Sequence, residues 1–160
     1  MNRKTIVTEI LCFENPAELP EETQQLLLEA KNALEKSYSP YSGFSVGAAL
    51  RLSNGVLLSG ANFENASYPL CLCAERVALA AAAAQHPNEV ILEIAITVAY
   101  SRKPALQPAA PCGACRQVIL EVENKQNHPI KILLQGESET VLEIASGKDL
   151  LPLGFDGGWL

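Results

Sequence analysis

The sequence predicts an α/β fold, a three-layer α/β/α sandwich on a mixed sheet of about five strands. Three observations lead there. The pair Asn54-Gly55 lies between two strand-like segments and marks an opening hairpin. Strand-like and helix-like segments then alternate. Finally, 160 residues with 48% hydrophobic and 19% charged content suit one buried core, and no repeat or linker divides them, so residues 1–160 are read as a single domain.

Residues 1–18 lack strong periodicity and are expected to be a frayed arm or a short edge element. From Pro20 to about Lys36, Leu27, Ala30, Ala33 and Leu34 recur at helical spacing, and Glu21 and Glu22 suit the positive end of a helix dipole. The run Ser37 to Gly43 is turn chemistry, and Phe44–Leu52 and Val56–Asn62 form the two antiparallel strands of the hairpin. Asn62 to Cys71 is too polar and interrupted for a strand. Ala74 to Gln85 is alanine-rich and almost uncharged, which predicts a buried helix. Val90 to Tyr100 is aliphatic enough for an interior strand; Ser101 to Pro111, with three prolines, is a loop; about Gly113 to Glu123 is a helix. Ile130–Gln135 and Val141–Ala145 close the sheet, and Lys148–Leu151 gives a short helical turn before a tail rich in Gly, Pro and Asp.

A formal net charge of −6 offers no basic field to neutralise phosphates, so nucleic acid is excluded as a partner. The longest apolar stretch, Val77 to Ala84, falls far short of the roughly 18 to 20 residues of a bilayer span, and Met1-Asn2-Arg3-Lys4 leads into no signal-type core. A soluble, cytoplasmic protein without a membrane partner is expected. Cysteines at 12, 71, 73, 112 and 115 are an odd number for a disulfide framework. Four of them cluster as Cys71-Leu-Cys73 and Cys112-Gly-Ala-Cys115, which in a reducing compartment points to metal or redox chemistry.

Cys73 opens one helix, and Cys112 and Cys115 open another, where unpaired N–H groups and the helix dipole favour thiolates. A structural zinc site would need a fourth protein ligand, with Cys71, His86 and His128 as the candidates. An extended backbone points Cys71 away from Cys73, His86 ends the helix that Cys73 begins, and His128-Pro129 reads as a surface turn. Three ligands and an open position are the catalytic alternative. Glu75, on the first turn after Cys73, then lies near the metal without binding it and can carry protons. Arg76 and Arg116 are placed to donate hydrogen bonds to ligand sulfurs and offset the net negative charge of three thiolates on Zn²⁺. Cys12 and Cys71 are expected to be small buried hydrophobes.

The segments Tyr41-Ser-Gly-Phe44-Ser-Val-Gly-Ala-Ala-Leu50, Asn62-Phe-Glu64-Asn-Ala-Ser-Tyr68, Cys73-Ala-Glu-Arg76, Pro111-Cys-Gly-Ala-Cys-Arg-Gln117 and Leu150-Leu-Pro-Leu-Gly-Phe155 occur in this order across most of the chain. With them the sequence resembles the cytidine deaminases of the small zinc type with three cysteine ligands. The resemblance implies one Zn²⁺ per chain on Cys73, Cys112 and Cys115, with Glu75 as proton shuttle. Asn62 and Glu64 would bind sugar hydroxyls, the Ala74 backbone would hold the pyrimidine, and Phe44 and Phe155 would pack on nucleoside faces. The implied reaction converts cytidine or deoxycytidine and water to uridine or deoxyuridine and ammonia, a step of pyrimidine salvage. It also implies a homotetramer whose active sites are completed by Phe155 of a neighbouring chain, which suits the nearly uncharged alanine helix. Val77 departs from the family's usual Thr, and Cys71 occupies a variable position.

Glu64 would repel a nearby phosphate, which favours nucleosides over nucleotides. Two alternatives stand beside this reading. A related aminopyrimidine nucleoside deaminase of the blasticidin type is expected to lack the Asn62–Asn65 segment and the terminal Phe. A non-catalytic, zinc-stabilised binding module requires a fourth protein ligand.

Overall fold

In chain order the elements are β1 (Leu11–Phe13), α1 (Glu21–Ala33), β2 (Phe44–Leu52), β3 (Leu57–Ala61), α2 (Ala74–Gln85), β4 (Ile91–Tyr100), α3 (Gly113–Gln126), β5 (Lys131–Gln135), β6 (Val141–Ile144) and α4 (Gly147–Leu150). The structure is a computed structural model that describes residues 1–159, the side chain of residue 159 excepted. The strands form one sheet in the order β1-β6-β5-β4-β2-β3. Among the described residues only β4 and β5 pair as parallel strands; the other neighbours are antiparallel, so the sheet is mixed as expected.

Alternation along the strands sorts side chains to two faces. Ala49, Ala95, Leu133 and Val141 point to one face and meet Leu26, Leu27 and Ala30 of α1. Ala48, Leu50, Ile94, Ile96, Ile132 and Leu134 point to the other and meet Ala74, Ala78, Leu79 and Ala82 of α2 and Ile119 of α3. This is the three-layer arrangement. The small residues of α2 bring it close to the sheet: a Cβ on Gly60 of β3 would lie 2.7 Å from the Ala78 nitrogen and 2.8 Å from the Ala74 oxygen. No side chain larger than hydrogen fits there, so the first turns of α2 rest directly on β3.

Two buried carboxylates tie neighbouring elements together. Glu93 of β4 pairs with Arg51 at 3.0 Å and Lys131 at 3.2 Å. Glu123 of α3 accepts from the Ile130 nitrogen at 2.7 Å, Ser146 Oγ at 2.9 Å and the Gly147 nitrogen at 2.8 Å, which fixes where α4 begins. Both satisfy the rule that a buried charge needs partners.

The sheet has six strands rather than about five, because the N-terminal segment supplies β1 as an edge strand antiparallel to β6. Three residues are too few to display an alternating pattern, so their sequence could not separate an edge strand from a frayed arm. Cys12, expected to be buried, is exposed because it lies on this edge, and Cys71 is only half-buried. Among the described residues no helix is long and apolar enough to cross a membrane.

Candidate active site

Cys73 and Cys112 are the N-cap residues of α2 and α3, both with extended backbone and neither capping its helix through its side chain. The thiols are thereby left for other partners, at the positive ends of two helices whose first-turn N–H groups have no intrahelical acceptor. Cys115 lies inside the first turn of α3 and is fully buried. The three sulfurs lie within 4.8 Å of one another, with Cys73 to Cys112 at 4.0 Å and Cys112 to Cys115 at 3.4 Å. Tetrahedral zinc with bonds of about 2.3 Å sets its sulfurs about 3.8 Å apart, so this donor set fits Zn²⁺. The candidates for a fourth protein ligand lie outside this cluster. Cys71 Sγ accepts from the Asn65 nitrogen at 3.2 Å, His86 is the C-cap of α2, and His128 Nδ1 lies 2.7 Å from the Pro129 oxygen.

The cluster favours negative charge before any metal is considered. The Cys73 thiol is held down to about 5, chiefly by a hydrogen bond from Cys115 and then, against burial, by Arg76. Cys115, the donor in that bond and buried, is pushed up in turn. Arg76 Nη2 donates to Cys73 Sγ at 3.4 Å and to the Cys71 oxygen at 3.2 Å, as expected of a group offsetting thiolate charge.

Arg116 requires a correction. It donates through Nε to the Pro111 oxygen at 2.8 Å and through Nη1 to the Leu150 oxygen at 2.9 Å, and among the described residues it makes no hydrogen bond to a sulfur. The physical reason is that the Leu150 oxygen ends α4, where helix carbonyls lack intrahelical donors, and the Pro111 oxygen lies in a loop just before the N-cap of α3, within reach of the same guanidinium. Its guanidinium ties the metal-binding loop to α4 instead.

Glu75 is 4% exposed on the first turn of α2, and its carboxyl is raised above the usual range by burial and, further, by the negative Cys73 thiolate. It opens into a cleft of about 270 Å³ that also touches Phe44, Asn62, Glu64, Cys73 and Cys112. Glu64 Oε2 accepts from the Tyr41 and Ser42 nitrogens at 2.9 and 3.2 Å. A side-chain hydrogen bond from Ser42 and these two N–H groups hold its carboxyl below the usual range, so it remains ionised. Asn62 Oδ1 accepts from Ser37 Oγ at 2.6 Å and the Val46 nitrogen at 2.8 Å, and its Nδ2 donates to the Phe44 oxygen at 2.9 Å. One amide hydrogen of Asn62 is left for a ligand.

Six of the predicted residues thus meet in one cleft. The Ala74 methyl is in the core, which leaves its backbone at the start of α2. Phe155 does not line the cleft of its own chain; it is 57% exposed, and its oxygen accepts from Gln117 Nε2 at 2.8 Å. Sequence reasoning missed Val46, Ile96 and Val98, which form an apolar wall, and Ala109 and Ala110, which arrive on the proline-rich loop before Cys112. Proximity to Cys112 was the available signal for the last two.

Residues 20–128 match the family model described as the cytidine and deoxycytidylate deaminase zinc-binding region. Cytidine deaminase of Halalkalibacterium halodurans is 44% identical over 126 residues, covering 78% of this chain and 91% of that protein. The crystal structure of cytidine deaminase from Burkholderia pseudomallei superposes with a TM-score of 0.71 at 43% identity, over 82% of this chain and 97% of the other. That of the Mycobacterium tuberculosis enzyme gives a TM-score of 0.66 at 31% identity, over 84% and 97%. With three thiols spaced for zinc at paired helix starts and a buried carboxylate beside them, the chain belongs to the zinc-dependent cytidine and deoxycytidylate deaminase family.

Proposed function

We propose that the protein hydrolyses cytidine and deoxycytidine to uridine and deoxyuridine, releasing ammonia, as a step of pyrimidine salvage. The observation that carries this is the meeting in one cleft of Glu75, the cysteine cluster and the Asn62–Glu64 pair. Cys73, Cys112 and Cys115 would hold Zn²⁺, which when bound supplies the Lewis acidity that makes water nucleophilic near neutral pH.

The chain's own residues account for the other steps. Burial keeps the Glu75 carboxylate poorly solvated and therefore ready to take a proton. Glu75 removes a proton from the attacking water and delivers it to N3 of the pyrimidine as oxygen bonds to C4. It passes the second water proton to the departing amine as the C4–N bond breaks, so cytidine and water become uridine and ammonia and the carboxylate is regenerated. Arg76 keeps the Cys73 sulfur from repelling this charge. Phe44 packs on the nucleoside, the Ala74 backbone holds the pyrimidine, and the remaining Asn62 hydrogen and Glu64 oxygen bind sugar hydroxyls. The ionised Glu64 disfavours a phosphate, so nucleosides are preferred to nucleotides.

The non-catalytic binding module needs a fourth protein ligand, and Cys71, His86 and His128 each have other partners or positions. The same reading makes the enzyme a cytoplasmic homotetramer of single-domain chains. Exposed Phe63, Tyr68, Leu70, Leu72 and Phe155 support that assembly, since apolar side chains in such number call for a covering surface. The test combines zinc analysis with the loss of ultraviolet absorbance of cytidine. One zinc per chain with turnover is expected; a zinc-loaded protein inert towards both nucleosides overturns the reading.

A further inference from the structure

We propose that Glu137 is a positioning residue for the substrate cleft: with Gly136 and Ser138 it clamps the loop 101–111, whose far end forms one wall of that cleft. The inference rests on the cleft being the nucleoside site.

The loop contains Pro104, Pro108 and Pro111, which have no N–H to donate, so it must find its order in outside partners. The connection between β5 and β6 provides them. Glu137 Oε1 accepts from the Tyr100 nitrogen at 2.9 Å and the Ala105 nitrogen at 3.0 Å. The Glu137 nitrogen donates to the Ala105 oxygen at 2.8 Å, and Ser138 Oγ donates to the Leu106 oxygen at 2.7 Å. Gly136 permits the approach: a Cβ there would lie 2.5, 2.6 and 2.7 Å from the oxygens of Ala105, Leu106 and Gln107. From this clamp the loop runs on to Ala109 and Ala110 in the cleft wall and then to Cys112. At the loop's start, the Tyr100 ring meets Phe44 edge-on at 5.7 Å between centroids. One carboxylate therefore fixes both the loop beside the metal ligands and the backbone behind Phe44. The two N–H groups also hold the Glu137 carboxyl below its usual range, so the clamp is charge-assisted.

The experiment compares Glu137→Ala, Glu137→Gln and Gly136→Ala in the zinc-loaded protein. Glutamine retains a carbonyl oxygen able to accept both N–H groups, so it is the conservative rescue. Glu137→Ala is expected to raise KM for cytidine about tenfold with kcat within about twofold and zinc at one per chain, while Glu137→Gln keeps KM within about threefold of the wild type. Gly136→Ala, which leaves the carboxylate in place, reproduces the rise in KM by pushing the loop away. Hydrogen exchange provides a readout independent of turnover: amides of residues 100–107 exchange faster in Glu137→Ala and Gly136→Ala but not in Glu137→Gln, and α1 is unchanged. Wild-type KM and exchange in Glu137→Ala overturn the clamp, as does a glutamine variant no better than alanine. If the wild type fails to turn over cytidine, the assigned reaction is lost, and exchange in the loop still decides the clamp.

Discussion

Glu75 shows how one residue's surroundings make its chemistry. Buried beside a thiolate, its carboxyl is costly to ionise, and that is the property a proton carrier needs. Glu75→Gln preserves size and burial but cannot exchange a proton, so it is expected to keep zinc and fold while kcat falls by about 10² to 10⁴. Retention of more than about a tenth of wild-type turnover refutes the shuttle. The ligands make a separate prediction, read by metal analysis and thermal unfolding. Cys112→Ala and Cys115→Ala lose zinc and stability together, whereas Cys71→Ala and Cys12→Ala, outside the cluster, keep one zinc per chain. Normal zinc in a Cys112 variant, or its loss in a Cys71 variant, means that the ligand set is wrong. At this scale the sequence was most legible where residue type restricts chemistry, as at Cys73, Glu75, Cys112 and Cys115. It was least legible where a versatile donor chooses among partners. Arg116 is next to a cysteine in sequence yet binds two carbonyls, and nothing local to residue 116 encodes the Leu150 oxygen 34 positions away.

The elements matter because the cluster is shared by two helices and holds only if both are seated. α2 brings Cys73, Glu75 and Arg76, α3 brings Cys112 and Cys115, and the sheet beneath them sets their separation. Gly60 is the contact through which β3 fixes the start of α2. Gly60→Ala places a methyl group against helix backbone that cannot turn aside, which is expected to cost about 1 to 3 kcal/mol of stability. Because α2 moves relative to α3, zinc should also be lost to a chelator more readily. An unchanged unfolding temperature with unchanged zinc retention sinks this account. The long elements were legible from helical spacing in α1 and from composition and turn residues elsewhere, and α2 begins and ends at the residues expected, because an uncharged alanine run bounded by Cys73 and His86-Pro87 leaves little choice. The loop 101–111 was legible as a loop, but not the clamp on it. That clamp joins residues about 30 positions apart through a glutamate that looks like any turn acid in the sequence.

For the whole molecule, the lowered carboxyls of Glu64 and Glu137 contribute to how the chain responds to acid. Each contributes stability that is complete above its ordinary value of 4.5 and is lost as pH falls through its lower folded value. The unfolding temperature should therefore fall faster below about pH 4.5 in the wild type than in a Glu64→Gln, Glu137→Gln double variant. Parallel curves in acid would show that neither carboxylate is linked to folding. The assembly prediction begins from Phe155, which follows α4 in a tail rich in Gly, Pro and Asp and is more than half exposed, away from its own cleft. An aromatic ring there gains by burial against another surface, and the cleft of a neighbouring chain would offer one lined in part by exposed Leu72. If Phe155 acts in trans, the two defects of a Glu75→Gln chain and a Phe155→Ala chain need not share a site. Mixing the two chains under conditions of verified subunit exchange should then create some sites holding both Glu75 and Phe155. Activity should rise above the sum of the separate variants; no gain after exchange, or a fully active monomer, assigns Phe155 to its own chain and removes the need for a partner.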